Sequence, residues 1–441
     1  MNGHSVAAAT PAQALPSLQI EEREQTLAQC DPFALAERAQ ALSERFFLWQ
    51  STDRRRTLLG AGELVHLTAD GEERFAQIAA RWRSLGLAGA PSAMLFGGFA
   101  FDDAPPGGPF QGLHAGDFFV PKLLVREEPG VQRVVLFSRK DAEDAGPSAA
   151  QLLAALLEGE EQAGGGARLL DLPGARRAFA RRVSAATQAI AQGAFEKVVL
   201  ARRRVCLYDR PPSLRRVLSA LSEREADCRI FAFGDGRRVF LGATPELLCR
   251  CEGSTARVDC LAGSAPRGAT PEEDAARGAD LLASAKNLRE HAHVVDAVRR
   301  ALEGLGLTPA VPKSPRLRRL THVQHLYTPV SAPLGEGQDL FRLAQALHPT
   351  PAVGGAPRDA ALAWRAANEG LERGFYAGAV GWADASGDGE FDVALRSALL
   401  LRRGAWLYAG CGIVEGSDPA EELRESEVKM RPLATALRRD G

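Results

Sequence analysis

Gly410-Cys-Gly-Ile-Val-Glu-Gly-Ser-Asp-Pro-Ala-Glu-Glu-Leu-Arg-Glu-Ser-Glu-Val-Lys429 passes from an apolar strand pattern through a glycine turn into a well-marked helix. Asp418 is placed to cap that helix, Pro419 suits its first position, and Glu421 sits where a capping box wants an acid. Glu422, Glu425 and Lys429 are spaced i, i+3, i+7, so they share one helix face. Two carboxylates and an ammonium beside a glycine turn suit a divalent metal together with an anionic ligand. Taken alone, the spacing favours a solvated helix face with an i, i+4 Glu–Lys pair.

Outward from this segment, composition sets the limits. The 441 residues are 45% hydrophobic and 25% charged, which is globular and long enough for an ample core. A formal net charge of -1 provides no basic field, so neither nucleic acid nor an anionic membrane is expected as partner. The seven cysteines are scattered and form no CxxC pair, which argues against a zinc site or a disulfide framework and fits a reducing cytoplasm. No apolar run is long enough to span a membrane, and no basic segment precedes an apolar core at the N-terminus. Residues 1–17, rich in Ala, Pro, Ser and Thr, read as a flexible tail.

Strand-like and helix-like segments alternate without a repeat. The pattern predicts a helix over Phe33 to Phe47 and strands over Ala93 to Phe101, Phe118 to Val125 and Gln132 to Ser138. The glycine-rich stretch around Gly159 to Gly166 marks a linker, 159–174, between a strand-rich part at 18–158 and a region at 175–437 that holds every chemically suggestive cluster. That region opens with a helix over about 175–192 and the strand Glu196 to Arg202. Thr270-Pro-Glu-Glu273 then starts one long helix that the apolar period carries to about Leu302. Strands at Tyr376–Trp382, Asp392–Leu401 and Ala405–Cys411 indicate antiparallel hairpins.

Several residues in this region suit catalysis. Lys197 sits inside an otherwise apolar strand, where an amine sheds its proton more readily and can act as a base; a strand-edge lysine with its ammonium in water fits too. Glu246, after a proline and flanked by leucines, can keep its proton and act as an acid, or be an exposed turn glutamate. Lys286 and Glu290 are spaced i, i+4; Glu290 suits a magnesium ligand or a surface ion pair. Arg396 alternates with apolar neighbours and needs an anionic partner, either a substrate carboxylate or a structural salt bridge. His325 serves equally as a structural histidine or a ligand contact.

In this order, these clusters resemble the chorismate-utilising enzymes and, within them, the isochorismate synthases. The resemblance rests on Lys197-Val-Val-Leu-Ala-Arg, Gly242-Ala-Thr-Pro-Glu-Leu, Leu261-Ala-Gly-Ser-Ala-Pro-Arg267 and Leu282-Ala-Ser-Ala-Lys-Asn-Leu-Arg-Glu-His291. It continues through Leu347-His-Pro-Thr-Pro-Ala-Val-Gly-Gly355, Phe375-Tyr-Ala-Gly-Ala-Val-Gly-Trp382, Arg396 and the Gly410–Lys429 segment. It is dense over about 175–437 and loose before that, through Phe96-Gly-Gly-Phe-Ala-Phe-Asp102.

The resemblance implies an α+β fold of large antiparallel sheets packed with helices, with the site in the cleft between them. It also implies roles. Lys197 would activate water, and Glu246 would protonate the departing hydroxyl. Glu290 and Glu425 would bind Mg2+, with Glu422 in support. Arg396, Tyr376, Lys429 and the backbone at Gly412 would hold the substrate carboxylates, with His325 near the substrate. The implied reaction is conversion of chorismate to isochorismate, feeding menaquinone or siderophore biosynthesis.

Three positions separate the relatives. Anthranilate synthases usually carry glutamine at the place of Lys197, and aminodeoxychorismate synthases carry a lysine within the motif that here reads Leu261-Ala262-Gly263. Salicylate synthases, which go on to eliminate pyruvate, tend to carry threonine at Ala352. All three favour water addition that stops at isochorismate; salicylate synthesis is the alternative, and a non-catalytic metabolite-binding relative is a further one. Asn287 departs from the aspartate often found in its place. With water as nucleophile, no glutaminase subunit is expected, and the chain is expected to be a monomer.

Overall fold

The structure, a computed structural model, describes residues 20–26, 30–140, 146–160, 164–321 and 323–438. The N-terminal tail expected at 1–17 lies outside the described residues. In chain order the first part runs β1 (Ile20–Thr26), α1 (Pro32–Ala41), β2 (Arg45–Gln50), β3 (Thr57–Ala69), α2 (Arg74–Ser84), β4 (Met94–Phe99), β5 (Gly116–Glu128), β6 (Val131–Arg139) and α3 (Ala149–Glu158). Next come β7 (Ala167–Leu170), α4 (Ala175–Ala191), β8 (Lys197–Tyr208), α5 (Leu214–Arg224), β9 (Arg229–Asp235), β10 (Val239–Thr244), β11 (Leu247–Glu252) and β12 (Thr255–Pro266). Then follow α6 (Pro271–Ala283), α7 (Ala285–Gly304), β13 (Arg316–Arg319), β14 (Val323–Pro333), α8 (Leu340–Leu347), β15 (Gly355–Ala356) and α9 (Arg358–Asn368). The chain closes with β16 (Ala379–Asp384), β17 (Gly389–Val393), β18 (Ser397–Leu401), β19 (Gly404–Ile413) and α10 (Pro419–Ala436).

Every pairing between these strands is antiparallel, as the hairpin pattern and β-branched and aromatic runs require. Hydrogen bonds run from β13 through β14, β12, β11, β17, β16 and β4 to β5. From β5 they continue through β3, β2, β9, β10, β18 and β19 to β8, with β6 and β1 branching from β5. The ladder folds back on itself. Phe47 of β2 stacks on Phe96 of β4 with ring centroids 5.5 Å apart, and Phe233 of β9 meets Phe375, just before β16, at 5.9 Å. Neither pair joins neighbouring strands, so the two halves pack face to face over an aromatic core. The result is an α+β fold of large antiparallel sheets with helices on their outer faces.

Leu35 of α1, Leu218 of α5 and Leu433 of α10 bury against β2, β10 and β19. Phe179 and Val183 of α4 and Ala361 of α9 cover the start of β8. Because β2 pairs with β9 and β4 with β16, residues 18–158 and 175–437 share one ladder; the 159–174 segment itself contributes β7, paired with β8.

Four element predictions need correction. The helix expected over Phe33 to Phe47 stops at Ala41. Ser43 turns the chain at φ 60°, and the aromatic run Arg45–Gln50 forms β2. The helix expected from 270 to 302 is two helices. Ser284 adopts an extended conformation, and its side chain accepts the Asn287 backbone N–H, starting α7 with its own cap. The strand expected over Asp392–Leu401 breaks between β17 and β18, with Arg396 at φ 46°; Tyr376 likewise lies in the turn before β16.

Candidate active site

The closing segment folds as its sequence indicates. Asp418 accepts the N–H groups of Ala420 and Glu421, Pro419 occupies the first turn, and α10 carries Glu422, Glu425 and Lys429. Lys429 Nζ pairs with Glu425 Oε1 at 2.6 Å and donates to the Gly410 carbonyl at 3.0 Å, tying α10 to β19. Burial opposes the Lys429 charge, but the Glu425 carboxylate hydrogen-bonded to it favours it, and its pKa lies above the ordinary lysine value.

Lys197 opens β8 opposite this helix, its Nζ 3.0 Å from Glu290 Oε1 on α7. Gly412 of β19 lies beside it. A Cβ there would come within 2.8 Å of Lys197 Cε, so glycine leaves the lysine its space. A Cβ at Gly410 would come within 2.9 Å of the Tyr376 hydroxyl, and Tyr376 is itself buried, stacked on Tyr408 at 5.3 Å.

Glu246 follows β10 and is fixed through its backbone: its N–H donates to Thr244 Oγ1, and its carbonyl accepts the Val393 N–H at 3.0 Å. Its carboxyl makes no hydrogen bond among the described residues. Burial raises its pKa to about 7, against the lowering pull of Lys197 and Lys429. This carboxyl therefore holds a proton near neutrality.

His325 of β14 faces Ser264, with Nδ1 2.8 Å from its Oγ. Burial, aided by the charges of Arg396 and Lys429, lowers its pKa to about 4, so the ring is neutral at pH 7. Arg396 is held by Glu225, its Nη1 3.2 Å from Glu225 Oε2; of the two partners the sequence allows, the structure displays the internal carboxylate. Ala352 lies in the loop between α8 and β15. That loop is anchored to β8, where the Val199 N–H donates to the Gly354 carbonyl at 3.2 Å.

A group able to hold a cation comprises Cys411, Glu422 and Glu425, whose ligand atoms all lie within 4.8 Å of one another. Burial pushes the Cys411 thiol up to about 12, and it donates to the Glu422 carbonyl at 3.2 Å, so it is not a thiolate ligand. The remaining donors are carboxylate oxygens, which fit a hard ion such as magnesium. Burial raises Glu422 above the usual carboxylate range, against a hydrogen bond from Ser417 and with support from the Glu425 charge. Glu290 is not part of this group and is engaged with Lys197.

Sequence reasoning missed the supports. Arg373 is fully buried and donates to both Glu369 oxygens, to the Val353 carbonyl beside Ala352, and to the Val199 carbonyl two residues after Lys197. The i, i+4 spacing of Glu369 and Arg373 was a usable signal. Nothing in the sequence links Glu225 to Arg396, 171 residues away. Ser264 stood inside a quoted motif, but only the register of β12 against β14 brings it to His325.

Comparison with known proteins gives a consistent picture. The family model described as "Chorismate binding enzyme" matches residues 7–438. The salicylate biosynthesis isochorismate synthase of Pseudomonas aeruginosa is 40% identical over 393 residues, covering 85% of this chain and 82% of that protein. The isochorismate synthase MenF of Bacillus subtilis is 34% identical over 416 residues, covering 89% and 87%. Among solved structures, MenF, the menaquinone-specific isochorismate synthase from Escherichia coli, superimposes with a TM-score of 0.81 at 27% identity, covering 96% of each chain.

Proposed function

This chain belongs to the chorismate-binding enzymes, and from that premise we propose that it catalyses the isomerisation of chorismate to isochorismate. The observation that supports the reading is that the Glu246 carboxyl, buried and without a hydrogen bond among the described residues, keeps its proton near neutrality while lying close enough to Lys197 to feel its charge.

Lys197 takes a proton from a water, whose oxygen attacks C2 of the ring. The double bonds shift, and the C4 hydroxyl leaves with the proton of Glu246 as water. Return of the lysine proton to Glu246 through solvent completes an allylic transposition with no net change in composition. A base and an acid of opposite protonation at the same pH are what this division of labour needs.

Arg396, Lys429, Tyr376 and the backbone at Gly412 hold the substrate carboxylates, and neutral His325 offers a hydrogen bond without adding charge. Glu290 and Glu425, with Glu422 behind them, would hold Mg2+, which neutralises the ring carboxylate and draws electron density toward it. Ala352 offers no hydroxyl beside the ring, consistent with a reaction that stops before pyruvate is lost.

Catalysis belongs to residues 175–437, with 18–158 as the strand-rich support and 159–174 between them. The enzyme works in the cytoplasm as a monomer without a glutaminase subunit, supplying menaquinone or siderophore biosynthesis. No helix among the described residues is long and apolar enough to cross a membrane.

The test is incubation of purified protein with chorismate, with and without magnesium, separating products by chromatography and assaying pyruvate. Magnesium-dependent isochorismate without pyruvate is the expected result. Salicylate with stoichiometric pyruvate would move the chain to the salicylate synthases, and no turnover would leave a metabolite-binding relative.

A further inference from the structure

Arg396 stands in the break between β17 and β18 at φ 46°. Its carbonyl accepts the Ala243 N–H at 3.2 Å, and Gly242 keeps that approach open: a Cβ there would come within 2.9 Å of the same oxygen. The side chain is only 15% exposed, so its donors need fixed partners or a ligand. Nη1 carries two N–H groups and donates to two acceptors, Glu225 Oε2 at 3.2 Å and Cys228 Sγ at 3.4 Å. Nε and Nη2 make no hydrogen bond among the described residues, and neither is sealed from solvent. Together these two nitrogens form one edge of the guanidinium, a fork that matches a carboxylate. After burial, the Arg396 charge is what most lowers the His325 pKa, so the guanidinium lies close to a ring of the cleft.

The turn that supplies Glu225 and Cys228 is itself clamped. Glu225 is the buried C-cap of α5, and the Cys228 N–H donates to its carbonyl at 2.9 Å. From the turn between β2 and β3, Arg54 donates to the Ser222 and Glu225 carbonyls, each at 2.8 Å, and to the Cys228 carbonyl at 2.7 Å. Arg54 thus takes up carbonyls that the end of a helix leaves open. Through this one side chain the strand-rich part of the molecule reaches the partners of Arg396.

We propose that Glu225 and Cys228 are positioning residues for substrate binding: by occupying Nη1 of Arg396 they turn its Nε–Nη2 edge toward a carboxylate of the ligand. The proposal rests on the reading of Arg396 as a carboxylate holder. A guanidinium already fixed at one nitrogen has less freedom to lose when the ligand arrives, so it binds more tightly than one that must first be ordered.

Isophthalate, a planar ring dicarboxylate that cannot react, is the probe. It would be titrated calorimetrically into the wild type, Glu225→Gln, Arg396→Gln and the double variant, with a thermal melt of each. Glu225→Gln keeps the shape of the side chain but removes the charge that holds Nη1, and should bind about tenfold more weakly. Arg396→Gln should lose at least as much, and the double variant should bind no more weakly than Arg396→Gln alone. Cys228→Ala should bind about threefold more weakly than wild type, and it decides alone if Glu225→Gln does not fold. Wild-type binding in Glu225→Gln or in Cys228→Ala would overturn the proposal. No binding by wild type would do so too, as would an equal loss from Glu225→Gln with and without Arg396, the mark of a merely structural role. If the chain bound isophthalate in this coupled way but did not turn over chorismate, the functional reading would fall and the positioning would stand.

Discussion

Two pairs of charged groups lie close together in this molecule and are treated in opposite ways. Arg373 and Glu369 are buried and saturated: every hydrogen bond the guanidinium donates goes to a fixed carboxylate or carbonyl, and Glu369 Oε2 also accepts the Ala201 N–H. Lys197 and Glu246 are left with capacity to spare. The lysine has a single carboxylate partner on another element, and the Glu246 carboxyl has no hydrogen bond among the described residues. Saturated charges hold backbone in place, and in the proposed mechanism the unsaturated ones do the chemistry. The first pair serves the second, because Arg373 grips the strand that carries Lys197.

The largest effect expected from this contrast is on turnover. Lys197→Ala and Glu246→Gln should each lower kcat by about 10³-fold, within the range of general acid–base catalysis, without loss of melting temperature. Turnover surviving either change would remove that residue from the mechanism.

Arg373→Met should behave differently, costing about 3–5 kcal/mol of stability because Glu369 is left buried and unpaired. Adding Glu369→Leu should recover most of that loss in urea titrations. A single variant as stable as wild type would end the scaffold reading.

Gly412→Ala brings a Cβ within 2.8 Å of Lys197 Cε and should cost about 10²-fold in kcat by displacing the base, with little change in stability. Unaltered kcat would mean that the lysine's position is not critical.

The smallest effect is on pH dependence. Glu246 has a pKa of about 7 when folded, against about 4.3 for an unperturbed glutamate. Between those values the folded state holds more protons than the unfolded one, so stability falls as pH rises through that window. Glu246→Gln should therefore melt higher than wild type at pH 8 and alike at pH 4, and wild-type kcat/KM should decline above about pH 7. A flat difference across pH would show that Glu246 titrates normally.

Much of this was legible in the chain. The α10 cap, the shared face of Glu422, Glu425 and Lys429, and the proton-keeping environment of Glu246 follow from local order: a proline before the glutamate, leucines after it, and a helix signature where the helix starts. Less legible was whatever depends on one residue competing with a regular pattern. Ser284 interrupts a continuous apolar period because its hydroxyl caps a new helix, and Arg396 breaks a strand by adopting a positive φ. Contacts such as Arg396 with Glu225 and Ser264 with His325 depend on ladder register, which no local pattern states.

The central claim is that water, activated at Lys197, supplies the new hydroxyl while the old one leaves through Glu246. Running the reaction in oxygen-18 water and weighing the isochorismate by mass spectrometry tests it directly. The account predicts product heavier by one oxygen-18, located at C2. Unlabelled isochorismate would mean that the original hydroxyl migrates within the substrate, and would contradict the roles given to both residues.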